Sequence, residues 1–473
     1  MIPIFVGYLA LTMILGLWQA RRTRSQSDFV LGSSKLPGWM LALSERATGE
    51  SAWLFLGFTG FIYGSGLSGV WIAVGCLAGI ATAWIVLARK FRSEAARYGA
   101  MTMPEYFSAK FPGRAGAIRF LSTLIITFFF IFYVGAQFAG AGKTIFKTFG
   151  LDPFWGQVIS AAVILTYATA GGFFSVVAVD ALQSVLMITT LIVAPVLMLV
   201  QVVKGGIGIP QALASAGGGM DSLTGGAAGF GAGLLIFNNF AWFFGYLGGQ
   251  PQLNARFMGM KDDRNVKIGR NIAVAWTVLA YSGAVLIGLG AVAIFGPHAV
   301  EDKEMILPHA ILHLFPWWMA AVLLAGVVAA MISTAESMLL VAATSISQDV
   351  YNGIIKKGKA DGRTLLRISR AVTLMVGLLG LVLAMTTSNL IYTIVSYAWA
   401  GIGCSFAPAV LLSFTWKRFG SAGVVTALLA GLVTTVAWIV TGLDRTVTAM
   451  AVTFFVSLGL AVLVTLLTKE KKV

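Results

Sequence analysis

The sequence predicts an all-α polytopic membrane protein, and three observations predict it. Of its 473 residues 58% are hydrophobic and only 11% are charged, whereas a soluble globule is nearer one quarter charged. Mean hydropathy is +0.87, so lipid rather than water must be the solvent of most of the surface. The chain also divides into about thirteen apolar stretches, each long enough to supply the ~20 residues that a spanning helix needs. Gly is abundant, at 55 residues scattered through the apolar runs, as close packing of membrane helices favours.

The predicted spans cover about residues 2–19, 37–63, 69–88, 117–147, 154–171, 178–203, 229–249, 271–295, 315–349, 370–387, 389–415, 421–441 and 446–468. The connections near 171–178 and 387–389 are very short. The first span lacks a basic leading region and a small-residue cleavage site, so it reads as a retained helix and not a signal peptide. Ala216 to Gly233 begins as a flexible, Gly-rich external loop, and the chain ends in the short polar run Lys-Glu-Lys-Lys-Val.

Charge gives the orientation. Arg21, Arg22 and Arg24 follow the first span, and basic residues collect on cytoplasmic loops. With thirteen spans, every second loop is cytoplasmic, and those segments hold 27 of the 33 basic residues, among them Lys35, Arg256 and Lys357. The N-terminus is therefore expected outside and the C-terminus inside. The net charge of +15 reads as this topology signal and as attraction to anionic lipid. No basic face interleaved with base-stacking aromatics accompanies it, so nucleic acid is not an expected partner. Cys76 and Cys404 sit in apolar stretches and read as core. His298, His309 and His313 share one polar segment without carboxylates or cysteines beside them. No nucleophilic triad, metal cluster or phosphate-binding loop lies at one membrane depth, so an enzyme is not expected.

An ionisable group inside the bilayer is costly and marks function by default. Five stand out: Glu45, Arg46 and Glu50 in the second span, Asp180 in the sixth and Glu336 in the ninth. Arg46 and Glu50 are spaced to neutralise each other across one helical turn. The second span is also weak at its centre, where Ala47-Thr48-Gly49-Glu50-Ser51 interrupts the apolar run. A break there frees backbone carbonyls for a cation, a construction common in secondary transporters. The ninth span carries hydroxyls at matching depth, Ser333 and Thr334. Together they make an all-oxygen site suited to a hard monovalent cation. In the seventh span Trp242 and Tyr246 lie one turn apart before Gly248, Gly249 and Pro251 interrupt the helix. They form either an interfacial aromatic belt or the wall of a site for a small amphipathic ligand.

Several segments resemble the sodium:solute symporter family. Tyr167-Ala-Thr-Ala-Gly171-Gly172-Phe173-Phe-Ser175 is similar to its signature, and Gly249-Gln-Pro-Gln-Leu-Asn-Ala-Arg256-Phe257-Met258 is similar to a segment of its sodium/proline branch. Ser396-Tyr-Ala-Trp-Ala-Gly401 and Ser333-Thr334 with Gln348-Asp349 behind them fit the same pattern, and the likeness runs from about residue 15 to 440. The resemblance implies a leucine-transporter-like fold in a bacterial plasma membrane, with inverted five-helix repeats at about 37–203 and 229–415 flanked by 2–19, 421–441 and 446–468. It implies sodium as coupling ion, held by carbonyls of Ala47, Glu50 and Ala330 and hydroxyls of Ser333 and Thr334. Asp180 matches an acidic position that serves a second sodium in some members. Substrate contacts map to Ser51, Ala52 and Trp53, to Tyr133 and Gln137, and to Trp242 and Tyr246.

The chain departs from the sodium/proline pattern in several places. Gly49 stands for an aspartate, Glu50 for an apolar residue and Ala52 for a glycine. Trp242 and Tyr246 match only with one glycine, Gly248 or Gly249, treated as inserted, and the tyrosine of the fourth span is shifted by one, to Tyr133. The expected function is sodium-coupled symport of a small organic solute, proline or a similar amino acid first. The alternatives are a proton-coupled or other-substrate member, or a symporter-like membrane sensor.

Overall fold

The computed structural model describes residues 1–32, 36–206, 208–386 and 390–468. Lys35, the connection at 387–389 and the terminal lysines, all used in the sequence reading, lie outside these. The described residues form helices and no strand. Ten helices are long and apolar enough to cross a membrane, and an eleventh span is formed if Gly229–Tyr246 and Pro251–Met258, bent by 42°, are taken together. The expected count of thirteen requires dividing two of these long helices, Trp53–Tyr98 and Pro153–Gly205.

Both have a glycine at the dividing point. Pro153–Gly205 turns at Gly172, with φ 57° and ψ −150°. Only glycine enters that region easily, and a Cβ there would stand 2.5 Å from the Phe29 ring. The link expected near 171–178 is thus a single residue. Trp53–Tyr98 breaks at Gly66, with φ 62° and ψ −141°. The Gly-rich loop is pinned rather than free: Leu67 N–H donates to the Met220 carbonyl (2.8 Å), and Trp71 Nε1 donates to the Leu223 carbonyl (3.0 Å).

The solvation is inverted relative to a soluble protein. On the helix Ala115–Phe149, Phe120, Leu124, Phe128 and Phe132 recur every four residues, all exposed towards lipid. The opposite face buries Ser122, Tyr133, Gln137 and Thr144. Polar groups therefore collect in the middle of the bundle, where they must find partners in one another. The helices Trp317–Thr344 and Gly38–Gly49 lie against Pro153–Gly205 there.

Three readings change or gain detail in place. Arg256, counted with a cytoplasmic loop, is fully buried in the short helix Pro251–Met258; Asp180 compensates its charge. Within the polar segment of the histidines, His309 and His313 lie on a short helix, Ile306–Leu314, with their rings 4.0 Å apart. Trp242 and Tyr246 are buried, at 3% and 2% exposed, which removes the interfacial-belt alternative.

Candidate functional site

The helix Gly38–Gly49 stops because Glu50 leaves helical geometry, at φ −108° and ψ 79°. The chain resumes helical winding from Ala52. A helix end leaves its last carbonyls without intrahelical donors, and here they are deep inside the protein. Hydroxyls from other elements meet them. Ser333 Oγ donates to the Ala47 carbonyl (2.9 Å) and to its own helix at the Ala330 carbonyl (3.1 Å). Thr334 Oγ1 donates to the Thr48 carbonyl (3.0 Å). The Tyr246 hydroxyl donates to the Gly49 carbonyl (3.4 Å).

Of the five expected ion ligands, Ser333 joins the Ala47 and Ala330 carbonyls, and Thr334 reaches the same helix end at the neighbouring Thr48 carbonyl. Glu50 contributes the break itself. The donor set is all oxygen and neutral, which suits a small hard monovalent cation and suits a soft transition metal poorly. Thr48, absent from the expected set, is the added carbonyl. Its neighbours in the sequence were read as ligands, but only the cross-bundle contact to Thr334 singles it out.

The Glu50 side chain turns the other way. Arg46 Nη1 donates to Glu50 Oε1 (2.9 Å), and Arg46 Nε donates to Glu45 Oε2 (2.5 Å); a second Arg46 amine also meets Glu45. The Tyr281 hydroxyl donates to Glu50 Oε2 (2.9 Å), and Trp84 Nε1 donates to Glu45 Oε2 (3.0 Å). All three charged residues are at most 1% exposed. The structure displays the ion pair that the Arg46–Glu50 spacing predicted. It also gives the Gly49 departure a physical setting. A Cβ at Gly49 would sit 3.4 Å from the Arg46 guanidinium, so an aspartate there would approach the charge that Glu50 now meets.

Just past the break lies the expected solute region. Ser51 Oγ and the Tyr133 hydroxyl are 3.0 Å apart, and Ala52 N–H donates to Gln137 Oε1 (2.9 Å). Trp53 packs on Trp242 with ring centres 4.1 Å apart, and Tyr246 packs on Trp399 at 4.0 Å. Trp399 Nε1 donates to the Tyr133 hydroxyl (2.9 Å). Ser51, Ala52, Trp53, Tyr133, Gln137, Trp242 and Tyr246 therefore form one connected group. Trp399 and Tyr281 complete it. Trp399 lies in the Ser396–Gly401 motif already noted, so the motif was the available signal; Tyr281 had none. The methyl of Ala52, where a glycine was expected, is accommodated by Gly140, whose own Cβ would meet it at 3.2 Å.

Asp180 faces the helix Gly38–Gly49 at Ser44 and Thr48. Its Oδ2 accepts from Ser44 Oγ (2.6 Å), Thr48 Oγ1 (3.3 Å) and Arg256 Nη2 (3.1 Å). Thr48 Oγ1 is also 2.8 Å from Ser337 Oγ, which links this cluster to the ion-ligand group through one residue.

Comparison with known proteins gives the family and the fold. The sodium:solute symporter family matches residues 29–431. The osmoregulated proline transporter OpuE of Bacillus subtilis (strain 168) is 32% identical over 479 residues, 99% of this chain and 95% of that protein. The sodium/proline symporter of Escherichia coli (strain K12) is 31% identical over 445 residues, 93% and 87% respectively. Among solved structures, a Na+-coupled sialic acid symporter superposes with a TM-score of 0.83 at 16% identity, covering 100% of this chain and 98% of that one. MhsT in complex with L-phenylalanine gives 0.57 at 14%, covering 90% and 97%. These likenesses identify the leucine-transporter-like fold. The chain is a multi-pass membrane protein that belongs to the sodium:solute symporter family.

Proposed function

We propose that this chain takes up proline, or a close small amino-acid analogue, driven by sodium through alternating access. The observation that carries the reading is the helix break at Glu50. It sets carbonyls of Ala47 and Thr48 against the hydroxyls of Ser333 and Thr334, with Ser51, Ala52 and the aromatic group immediately beyond.

In this reading sodium is cargo as well as driving force. Carbonyls of Ala47, Glu50 and Ala330 and the two hydroxyls replace its hydration shell. Ser51 and the amides of the resumed helix take the solute carboxylate, since a half-helix N-terminus favours negative charge. Trp242, Tyr246 and Trp53 cover the apolar ring. Each ligand fixes the same break, so binding of one preorganises the site for the other. The names of the relatives support proline as the first solute to test.

Uptake of radiolabelled proline into proteoliposomes should rise with an inward sodium gradient and collapse without it. Trp242→Ala should raise the apparent KM about tenfold or more, given the aromatic area it removes from contact, while protein remains in the membrane. Proline that is neither carried nor competes with the carried solute overturns the substrate assignment.

The same proposal includes thirteen spans in a plasma membrane, with the N-terminus outside, the C-terminus inside, and inverted repeats at about 37–203 and 229–415. The bias of basic residues supports it. A cysteine introduced at Asp221 should react with an impermeant reagent from outside, and one at Lys357 only after permeabilisation. Cys76 and Cys404 are buried and give little background. The reverse labelling pattern rejects this orientation.

A further inference from the structure

Tyr281 has no place in the site that the sequence outlines, yet its hydroxyl stands between two parts of it. It comes from the long helix Asp263–Phe295, which packs against Gly38–Gly49. Its hydroxyl donates to Glu50 Oε2 (2.9 Å) and lies 3.1 Å from the hydroxyl of Tyr246. The Tyr246 hydroxyl is itself 3.4 Å from Glu50 Oε2 and 3.4 Å from the Gly49 carbonyl. Beyond it the contacts run on round the solute region. Tyr246 packs on Trp399 with ring centres 4.0 Å apart. Trp399 Nε1 donates to the Tyr133 hydroxyl (2.9 Å), which is 3.0 Å from Ser51 Oγ. A closed circuit thus leaves the helix break at Glu50 and returns to it at Ser51, the next residue.

We propose that Tyr281 is a positioning residue that couples ion to solute: through Glu50 and Tyr246 it ties the geometry of the break to that of the aromatic wall. This rests on the sodium-symport reading above, and Tyr281 itself touches neither ligand. The Glu50 carboxylate is gripped on both oxygens, by Arg46 Nη1 (2.9 Å) on one and by Tyr281 on the other. Its side chain therefore moves little without its backbone. That backbone, at φ −108° and ψ 79°, carries a carbonyl of the proposed ion site. An ion that draws in this carbonyl displaces the carboxylate, and Tyr281 passes the displacement to Tyr246. A solute that presses on Tyr246 sends it back. Tyr281 is only 2% exposed, so water does not compete for either of its bonds. Hydrogen bonds in such a setting are strong and polarise one another. The ring is held separately, 5.8 Å from that of Phe58 and 6.3 Å from that of Trp53. Loss of the oxygen alone therefore leaves the packing in place.

Binding of radiolabelled proline to purified protein, titrated without sodium and at saturating sodium, is the test. The ratio of the two dissociation constants is the coupling factor, and sodium midpoints with and without proline must return the same factor. Tyr281→Phe should lower it about tenfold, because one hydrogen bond to a charged group is lost. Proline affinity without sodium should stay near that of the unmodified protein. Tyr246→Phe should lower the factor too, and adding Tyr281→Phe to it should change nothing further, since the two act in series. Glu50→Gln keeps an oxygen for Tyr281 and should keep the factor. Glu50→Met offers none and should lose it as Tyr281→Phe does. A direct solute contact, or a general loss of stability, would weaken proline equally at both sodium levels. An unchanged factor in Tyr281→Phe therefore overturns the proposal. If Tyr281→Phe does not fold, Glu50→Met against Glu50→Gln decides, and equal factors in those two overturn it. Proline binding to the unmodified protein that ignores sodium rejects the underlying symport reading, and this proposal with it. The unmodified protein's own factor keeps the two failures distinct.

Discussion

Thr334→Ala is expected to lower apparent sodium affinity about 10- to 100-fold, because a hydrogen-bonding group to a charge contributes about 1.5–3 kcal/mol. The hydroxyl faces the Thr48 carbonyl at 3.0 Å in a place that water does not reach, so no solvent molecule readily replaces it. Solute affinity should fall with it at low sodium, since each ligand raises the affinity of the other by one common factor. Saturating sodium should restore solute binding, and Thr334→Ser, which keeps the hydroxyl, should stay near the unmodified protein. The measurement is solute binding titrated against sodium in proteoliposomes. An unchanged sodium midpoint, or a solute defect that persists at saturating sodium, removes Thr334 from the ion site.

Arg46→Met should destabilise the protein by about 3–5 kcal/mol, the usual cost of breaking a buried ion pair from one side. Two carboxylates, Glu45 and Glu50, would lose their shared counter-charge while fully buried. The triple variant Arg46→Met with Glu45→Gln and Glu50→Gln should recover most of that loss, because the cost comes from the stranded charges and not from the missing contact. Glu50→Gln alone should keep sodium-driven uptake, as its side chain is occupied by Arg46 and Tyr281 and only its carbonyl is part of the proposed ion site. Thermal unfolding in detergent measures the first two effects and gradient-driven uptake the third. An unaltered melting point in Arg46→Met rejects the ion-pair account. Uptake by Glu50→Gln that is independent of sodium rejects the structural role of Glu50.

The sequence by itself determined the class of the fold, most helix positions and the residues around the break. Those features are local. A run of about 20 apolar residues is long enough to cross a bilayer wherever it occurs. Ala47-Thr48-Gly49-Glu50-Ser51 weakens a helix through its own backbone preferences. Buried charges also stand out in an apolar run without any knowledge of their partners. Ser51, Ser333, Thr334, Trp242 and Asp180 were legible in this way, with the family resemblance joining them into one site.

The tertiary structure alone decided who meets whom. Arg256 looked like one more loop cation until it was found on Asp180, 76 positions away in the chain. Tyr281, 231 positions from Glu50, carries no periodic or compositional mark. Trp399, 266 positions from Tyr133, sat in a recognised motif whose role was not apparent. Buried polar groups in a membrane protein need partners within hydrogen-bond distance, but hydrophobic periodicity records only which face of a helix turns inward. The partner on the next helix leaves no trace in the spacing of either, so the choice between ion pair, ion ligand and solute contact had to wait for the packing.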